Sequence, residues 1–290
     1  MKSRIYRNPV GVSRFTGLLL ILPFIIGAIL FIIYPFVCSF IVGLKDGSGD
    51  LGFDNYKNIM SDSNYRQTAA VTFKYTAFLV PLKLAVSLLV ALLLNCELKG
   101  IGIFRTAFYI PSILGSNLAV IIMWQYLFTS NGLVNQLLGV IGIAPVGWYG
   151  DPDKAIFIIV LLRLWEFGST MVIFLAALRD IPNELYYAAK VDGCGSIKAF
   201  FHITLPQLKN IIFINLVLQT IAAMQEFNAP YMITGGGPLG STRTIGMYIY
   251  DEMFRYGDEG TANAVSWLLF TLIGAVVILL YRFTEKLRRD

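Results

Sequence analysis

Long apolar runs separated by short polar stretches set the pattern of this 290-residue chain. A helix needs about 20 mainly apolar residues to cross a bilayer. Six segments meet that requirement: 15–44, 71–95, 106–128, 155–178, 211–233 and 261–283. The first contains Pro23 and Pro35, and the third and fifth carry polar residues. Such interruptions are tolerated where neighbouring groups satisfy the freed backbone. The apolar run after Lys2, Arg4, Arg7 and Arg14 is far longer than the core of a signal peptide and has no clear small-residue cleavage site. It therefore reads as a retained span. The expected fold class is an all-α membrane protein with six transmembrane helices.

Composition agrees: 56% of residues are hydrophobic and 14% charged, with a mean hydropathy of +0.67. A net charge of +5 in a soluble chain would suggest nucleic acid, but here the basic residues flank apolar runs, so orientation explains them better. With the N-terminus inside, fourteen Lys and Arg fall on the inner side and six in outer loops, which are rich in Asp and Glu. Both termini and the 179–210 loop are thus expected in the cytoplasm. The chain divides into a tail, first helix and outer loop (1–69), a five-helix core (70–283) and a cytoplasmic tail (284–290). The outer loops mix aromatics with Gly and Asp, and suit either headgroup contact or the docking of an outside partner.

The 179–210 loop has its own order. Pro182 suits a first helical turn, and Leu185, Ala188 and Ala189 share a face at i, i+3, i+4 spacing. Asp192-Gly193-Cys194-Gly195 breaks that helix, because glycine accepts positive φ without strain. Ser196 is placed to cap a second helix, in which Ile197, Phe200 and Phe201 repeat the spacing before Pro206 ends the motif. Such a hairpin could lie on lipid or receive a protein, and amphipathicity alone leaves both open.

These residues resemble the EAA loop of ABC importer permeases: EAA, three residues, Gly, nine residues, Ile, one residue, Leu-Pro. Here Tyr187-Ala188-Ala189 stand for EAA, followed by Gly193, Ile203 and Leu205-Pro206, with Asp192 and Phe200 in the form common among sugar permeases. The departures are Tyr187 for the usual Glu and Cys194 for a common Ala. They leave Glu184 or Asp192 as acidic candidates for the partner contact. The resemblance extends along nearly the whole chain, through Gly52-Phe53-Asp54-Asn55-Tyr56, Pro81-Leu82-Lys83, Pro111 with Trp124, and Thr234-Gly235-Gly236-Gly237-Pro238 with Thr242. It implies a type I importer permease fold in the cell membrane of a bacterium or archaeon. It also implies a second homologous permease, two cytoplasmic ATPase subunits carrying ATP and Mg, an extracytoplasmic solute-binding protein, and a sugar or oligosaccharide as solute. In this resemblance Glu184, Tyr187, Ala188, Ala189, Asp192, Gly193, Phe200 and Pro206 form the ATPase-coupling surface.

Ionisable residues inside spans are costly, so Lys83, Arg163, Glu166 and Glu226 are expected to pair: Arg163 with Glu166 at i, i+3, and Glu226 with Lys83. Candidates for the solute pathway are Asn117, Trp124 and Gln125 in the third span, and Gln219, Gln225, Asn228 and Tyr231 in the fifth, where Ala229-Pro230 is expected to break the helix. The same amides could instead hold helices together.

No catalytic or metal site is expected. There is one histidine, His202, and Cys38, Cys96 and Cys194 have no metal spacing. No G-x-x-x-x-G-K-[ST] stretch is present, so ATP is not expected on this chain. A membrane-embedded enzyme would need clustered acid, base or metal ligands. A related permease for glycerol phosphate stays open through Lys83 and Arg163.

Overall fold

Asp62 sets where the longest helix starts. Its carboxylate accepts from the backbone N–H groups of Asn64 and Tyr65, a cap that satisfies two otherwise orphaned donors. The helix therefore begins at Ser63, two turns before the apolar run expected from 71. In this computed structural model, residues 14–46, 49–96, 98–115 and 117–289 are described; the expected basic tail at 1–13 lies outside them.

In chain order the helices are α1 (Arg14–Ala28), a π-helical turn, α2 (Tyr34–Gly43), α3 (Asp54–Ser61), α4 (Ser63–Leu94), α5 (Ile101–Leu114), α6 (Leu118–Leu127), α7 (Leu133–Val140), α8 (Pro152–Trp165), α9 (Gly168–Arg179) and α10 (Asn183–Val191). There follow α11 (Ser196–Ala199), a π-helical turn, α12 (Leu205–Gln207), α13 (Lys209–Met224), α14 (Asn228–Thr234), α15 (Ile245–Tyr250), a third π-helical turn (Asp251–Tyr256) and α16 (Glu259–Arg289). The division expected at 69/70 falls inside α4.

Among the described residues, three stretches are apolar and unbroken enough to span: Gly17–Gly43, Ser63–Leu94 and Glu259–Arg282. Two further candidate spans among the described residues are bent pairs, α5 with α6 at 99° and α8 with α9 at 44°, and the fifth apolar run is divided between α13 and α14; the 66° bend between the α11–α12 segment and α13 lies at the 179–210 loop. The third, fourth and fifth spans are thus discontinuous where the apolar pattern suggests single helices. The break in the fifth lies at Gln225–Phe227, not at Ala229-Pro230. Pro230 sits in the first turn of α14, where its missing N–H costs nothing.

α4 is the central post. Its buried Tyr75, Leu79 and Val80 pack with Ile121, Ile158, Ile159, Leu162 and Ala223. Nearer its end, Ala91 and Leu94 pack with Met171, Phe174, Leu175 and Leu208. Inside a bilayer, where lipid tails are as apolar as these side chains, close packing rather than removal from water holds such helices together. Arg105 donates to the carbonyls of Leu94 (2.7 Å) and Cys96 (3.2 Å), closing the C-terminal end of α4. The first span joins the bundle mainly through α2: a Cβ at Gly43 would meet the Ala264 backbone at 3.0 Å, and Trp267 of α16 donates to Ser39 while its ring packs on Phe36 and Phe40.

Candidate functional site

The three helix breaks meet around one charged cluster. Arg163, in the last turn of α8, holds Glu226 by a two-pronged ion pair, Nε to Oε2 at 2.7 Å and Nη2 to Oε1 at 2.9 Å. Its Nη1 donates to Glu166 Oε1 at 2.6 Å. The planar fork of Arg suits this division between two carboxylates. The expected Arg163–Glu166 pair is present, but Glu226 serves Arg163 rather than Lys83. The break at 225–227 is what turns the Glu226 carboxylate toward α8, and an unbroken helix would have hidden that. Lys83 is 8% exposed. It faces the same space and makes no direct ion pair among the described residues.

The breaks are built, not frayed. Ser112 of α5 donates to the carbonyl of Glu166 (3.0 Å) and accepts from the N–H of Ser169 (2.9 Å), while Ser87 of α4 donates to the carbonyl of Phe167 (3.2 Å). Backbone groups freed inside a bilayer need such partners. Gly115, at the α5–α6 break, has no room for a side chain, because a Cβ there would run into Glu166. Gly168 lets the start of α9 press on the α5 backbone at Phe108 and Tyr109. At the third break, Thr244 donates to the carbonyl of Glu226 (2.7 Å) and the Glu226 carboxylate accepts from the N–H of Ala229 (3.1 Å).

A cavity of about 360 Å3 opens at this cluster, lined by Leu79, Lys83, Arg163, Glu166, Gln219, Ala222, Ala223, Gln225, Glu226, Phe227 and Asn228. Its volume is in the range that holds small molecules. Three pathway candidates, Gln219, Gln225 and Asn228, line it. Tyr231 lies one turn beyond, its ring stacked on Phe227 at 5.0 Å. The third-span candidates are used otherwise. Asn117 caps α6 through the N–H of Ala119, Trp124 donates to the carbonyl of Ile158, and Gln125 donates to the carbonyl of Ile233. They hold helices together. Gln219 also donates to Thr170 Oγ1 at 3.0 Å, which steadies its amide at the cavity wall. Phe227 was missed from sequence because nothing in the apolar pattern marks which face of a broken helix meets a cavity.

At the opposite end of α9, the 179–210 hairpin stands clear of the bundle. α10 has no buried residue, and Tyr187 is 67% exposed. Glu184, Ala188, Asp192 and Gly193 are also exposed, and Ala189 and Phe200 are half-buried. Gly193 has φ +73°, as the turn requires. Two expectations are corrected. Gly195, not Ser196, occupies the cap of α11, and Pro206 does not end the motif but lies inside α12, with the bend following at Leu208. Pro206 follows directly on the π-helical turn Phe200–Thr204, whose wider turn accommodates the missing N–H, so the chain bends only at Leu208, before α13. The hairpin is anchored by Tyr186, whose hydroxyl meets Thr204 Oγ1 at 2.9 Å, and by Leu178, Ile181 and Leu208 in the core. It is a fixed platform with an open helix on top.

Residues 101–289 match the family model described as "Binding-protein-dependent transport system inner membrane component". The chain belongs to that family. It is 40% identical over 292 residues to the Bacillus subtilis protein described as "Probable ABC transporter permease protein YesP", covering 97% of this chain and 93% of that one. It is 34% identical over 282 residues to the Thermococcus litoralis trehalose/maltose transport system permease protein MalF, covering 94% and 95%. A chain from the crystal structure of a bacterial alginate ABC transporter, in complex with alginate pentasaccharide-bound periplasmic protein, superposes with a TM-score of 0.83 at 20% identity, covering 94% of this chain and 95% of its own. The permease fold is thereby shared along nearly the full length, outside the matched family segment as well as within it.

At the end of this permease away from the hairpin, Asp62 also accepts from the Tyr248 hydroxyl at 2.8 Å. Partial burial pushes its carboxyl up, but the N–H groups of Asn64 and Tyr65 and the Tyr248 hydroxyl outweigh this and hold it below the ordinary value of 3.8. Tyr248 is pushed up by burial first and by its bond to Asp62 second. Arg243 and Arg255 both pair with buried Asp251, at 2.8 and 3.1 Å.

Proposed function

We propose that this chain is one of two permease subunits of an ATP-driven importer that carries a sugar or oligosaccharide across the cell membrane of a bacterium or archaeon. The proposal is carried by the cavity at the three helix breaks. Discontinuous spans near mid-bilayer are where transporters place their solutes. The amides of Gln219, Gln225 and Asn228 each offer a donor and an acceptor to a hydroxyl, and Phe227 offers a flat apolar face beside them. Two cations, Lys83 and Arg163, balance two carboxylates, Glu166 and Glu226, so the lining has no net charge. That balance favours a neutral polyol over a phosphate-bearing solute.

The remaining parts follow from the open helix. The exposed Tyr187, Ala188 and Val191 face of α10 would seat in a cytoplasmic ATPase, with Glu184 or Asp192 supplying the charge at its rim. Small residues there allow close approach, and Tyr187 adds contact area where an acid would add charge. Two such ATPases would hold ATP and Mg, and a binding protein would present the sugar to the outer loops. The excess of Lys and Arg at the hairpin end sets this orientation.

The test is reconstitution of this chain with its partner permease, ATPase and binding protein in proteoliposomes. Uptake of sugar should require ATP on the hairpin side and the binding protein on the other. Uptake that persists without the ATPase would refute the proposal.

A further inference from the structure

The charged cluster leaves two groups open. Arg163 is closed: its Nε, Nη1 and Nη2 are all bonded to Glu226 or Glu166. Glu226 is closed as well, with Oε2 on Arg163 and Oε1 shared between Arg163 and the N–H of Ala229. Glu166 gives Oε1 to Arg163, and its Oε2 has no hydrogen bond among the described residues. Lys83 is buried and lines the cavity with Glu166, yet its ammonium has neither an ion pair nor a hydrogen bond among those residues. An open cation and an open carboxylate oxygen thus share one cavity, too far apart to pair directly. We propose that Lys83 and Glu166 read one hydroxyl of the sugar between them, the ammonium donating to its oxygen and Glu166 Oε2 accepting from its O–H. This rests on the sugar reading given above and adds the pair that selects among sugars.

Both groups are held from the backbone. The Ser87 hydroxyl, one turn after Lys83 on α4, is shared between the carbonyls of Lys83 (2.6 Å) and Phe167 (3.2 Å). It ties the turn that bears Lys83 to the residue after Glu166. Ser112 takes the Glu166 carbonyl itself, at 3.0 Å. Gly115, with no side chain, leaves the Glu166 carboxylate its room. Side chains supported in this way are pre-organised for a ligand.

A lysine here could instead be a distant counter-charge to the two carboxylates. Arg163 shows what this fold does with a structural cation: each of its three nitrogens is bonded. Lys83 keeps three donors unmet in a place where charge is costly, with its head open to the cavity. A sugar hydroxyl fits the vacancy because it accepts and donates at once. With bonds of about 2.8 Å on each side, one hydroxyl bridges groups about 5 Å apart. An ether or carbonyl supplies only the acceptor, and an aliphatic carbon supplies neither. Hydrogen bonds to ionised groups are about twice as strong as neutral ones. An analogue lacking that hydroxyl is therefore rejected, because it leaves both charged groups open.

The test uses the complete reconstituted transporter. The first probes are a panel of radiolabelled neutral mono-, di- and trisaccharides, and the second are the monodeoxy analogues of the sugar taken up best. In wild type, removing one particular hydroxyl should lower sub-saturating uptake by about tenfold or more. Lys83→Met keeps the stem and removes the charge. It should bring the ratio of parent to that analogue within about twofold. A merely structural lysine would slow both sugars alike, so an unchanged ratio overturns the proposal. The binding protein is the same in both arms, so its own preference cancels. Wild-type uptake that tolerates the loss of each hydroxyl within about threefold overturns the proposal without any variant. If Lys83→Met does not co-purify with its partners, Lys83→Gln takes its place, with the ratio falling at least about threefold because a neutral donor remains. Loss of assembly in both variants makes Lys83 structural and overturns the proposal too. If wild type takes up no sugar of the panel, the sugar reading itself falls, and that result appears before any analogue or substitution.

Discussion

Arg163 is the residue on which the site depends most. It holds two carboxylates by three hydrogen bonds in a place where side chains are about 10% exposed. Removing one partner of such a group leaves uncompensated buried charge, at a cost of about 3–5 kcal/mol. Arg163→Leu should therefore lower the thermal midpoint in detergent sharply. The triple variant Arg163→Leu, Glu166→Gln, Glu226→Gln should recover part of that loss, because no unpaired carboxylate remains; differential scanning fluorimetry of both checks this. Asp62 makes a second residue-scale case. Asp62→Ala removes the cap of α4 and the acceptor of Tyr248, and should cost about 0.5–2 kcal/mol. Because the Asp62 carboxyl is held below 3.8 in the folded state, its contribution is fully present above that value and is lost as pH falls through the folded pKa. The gap in midpoint between wild type and the charge-only change Asp62→Asn should hold from pH 7 to about pH 4 and close below it.

The breaks in the spans work as elements because each has its own fasteners. Ser112 bonds to both sides of the α8–α9 break, the Glu166 carbonyl and the Ser169 N–H. Ser112→Ala leaves the part-buried Glu166 carbonyl and the Ser169 N–H without this partner, at a cost of about 0.5–1.5 kcal/mol. It should reduce uptake as well as stability, since Glu166 and Arg163 sit on the break it secures, and parallel transport and unfolding assays check both. The α10 hairpin is the opposite kind of element, rigid at its base and bare on top. Ala188→Arg puts a long charged side chain on that bare face without touching the core. It should abolish co-purification of the ATPase while membrane insertion stays normal; unchanged co-purification would show that α10 is not the docking helix.

Across the whole molecule, α4 links the two working ends. It packs on the cavity helices in its middle and on the hairpin base at its C-terminal end. Motion at the hairpin therefore has a stiff route to the cavity. Much of this was legible in the chain. Six apolar runs and the pattern from Tyr187 to Pro206 are local properties, and local spacing decides helix content and the turn at Gly193. The four intramembrane charges could also be named as a group, because buried charge demands partners wherever it lies. Which charge meets which could not. Glu226 meets Arg163 only because the fifth span breaks two residues before α14, and that break is held by Thr244 and Arg163, groups distant in sequence. The use of Trp124 and Gln125 as fasteners and of Phe227 as cavity wall was equally closed to a linear reading. An amide or a ring has the same local signature whether it faces a helix, a lipid or a solute. The sequence by itself determined the apolar runs and the open hairpin, through hydropathy and backbone preference. Only the tertiary structure decided where the spans break and what gathers there, because each break is stabilised by side chains that folding brings from other helices.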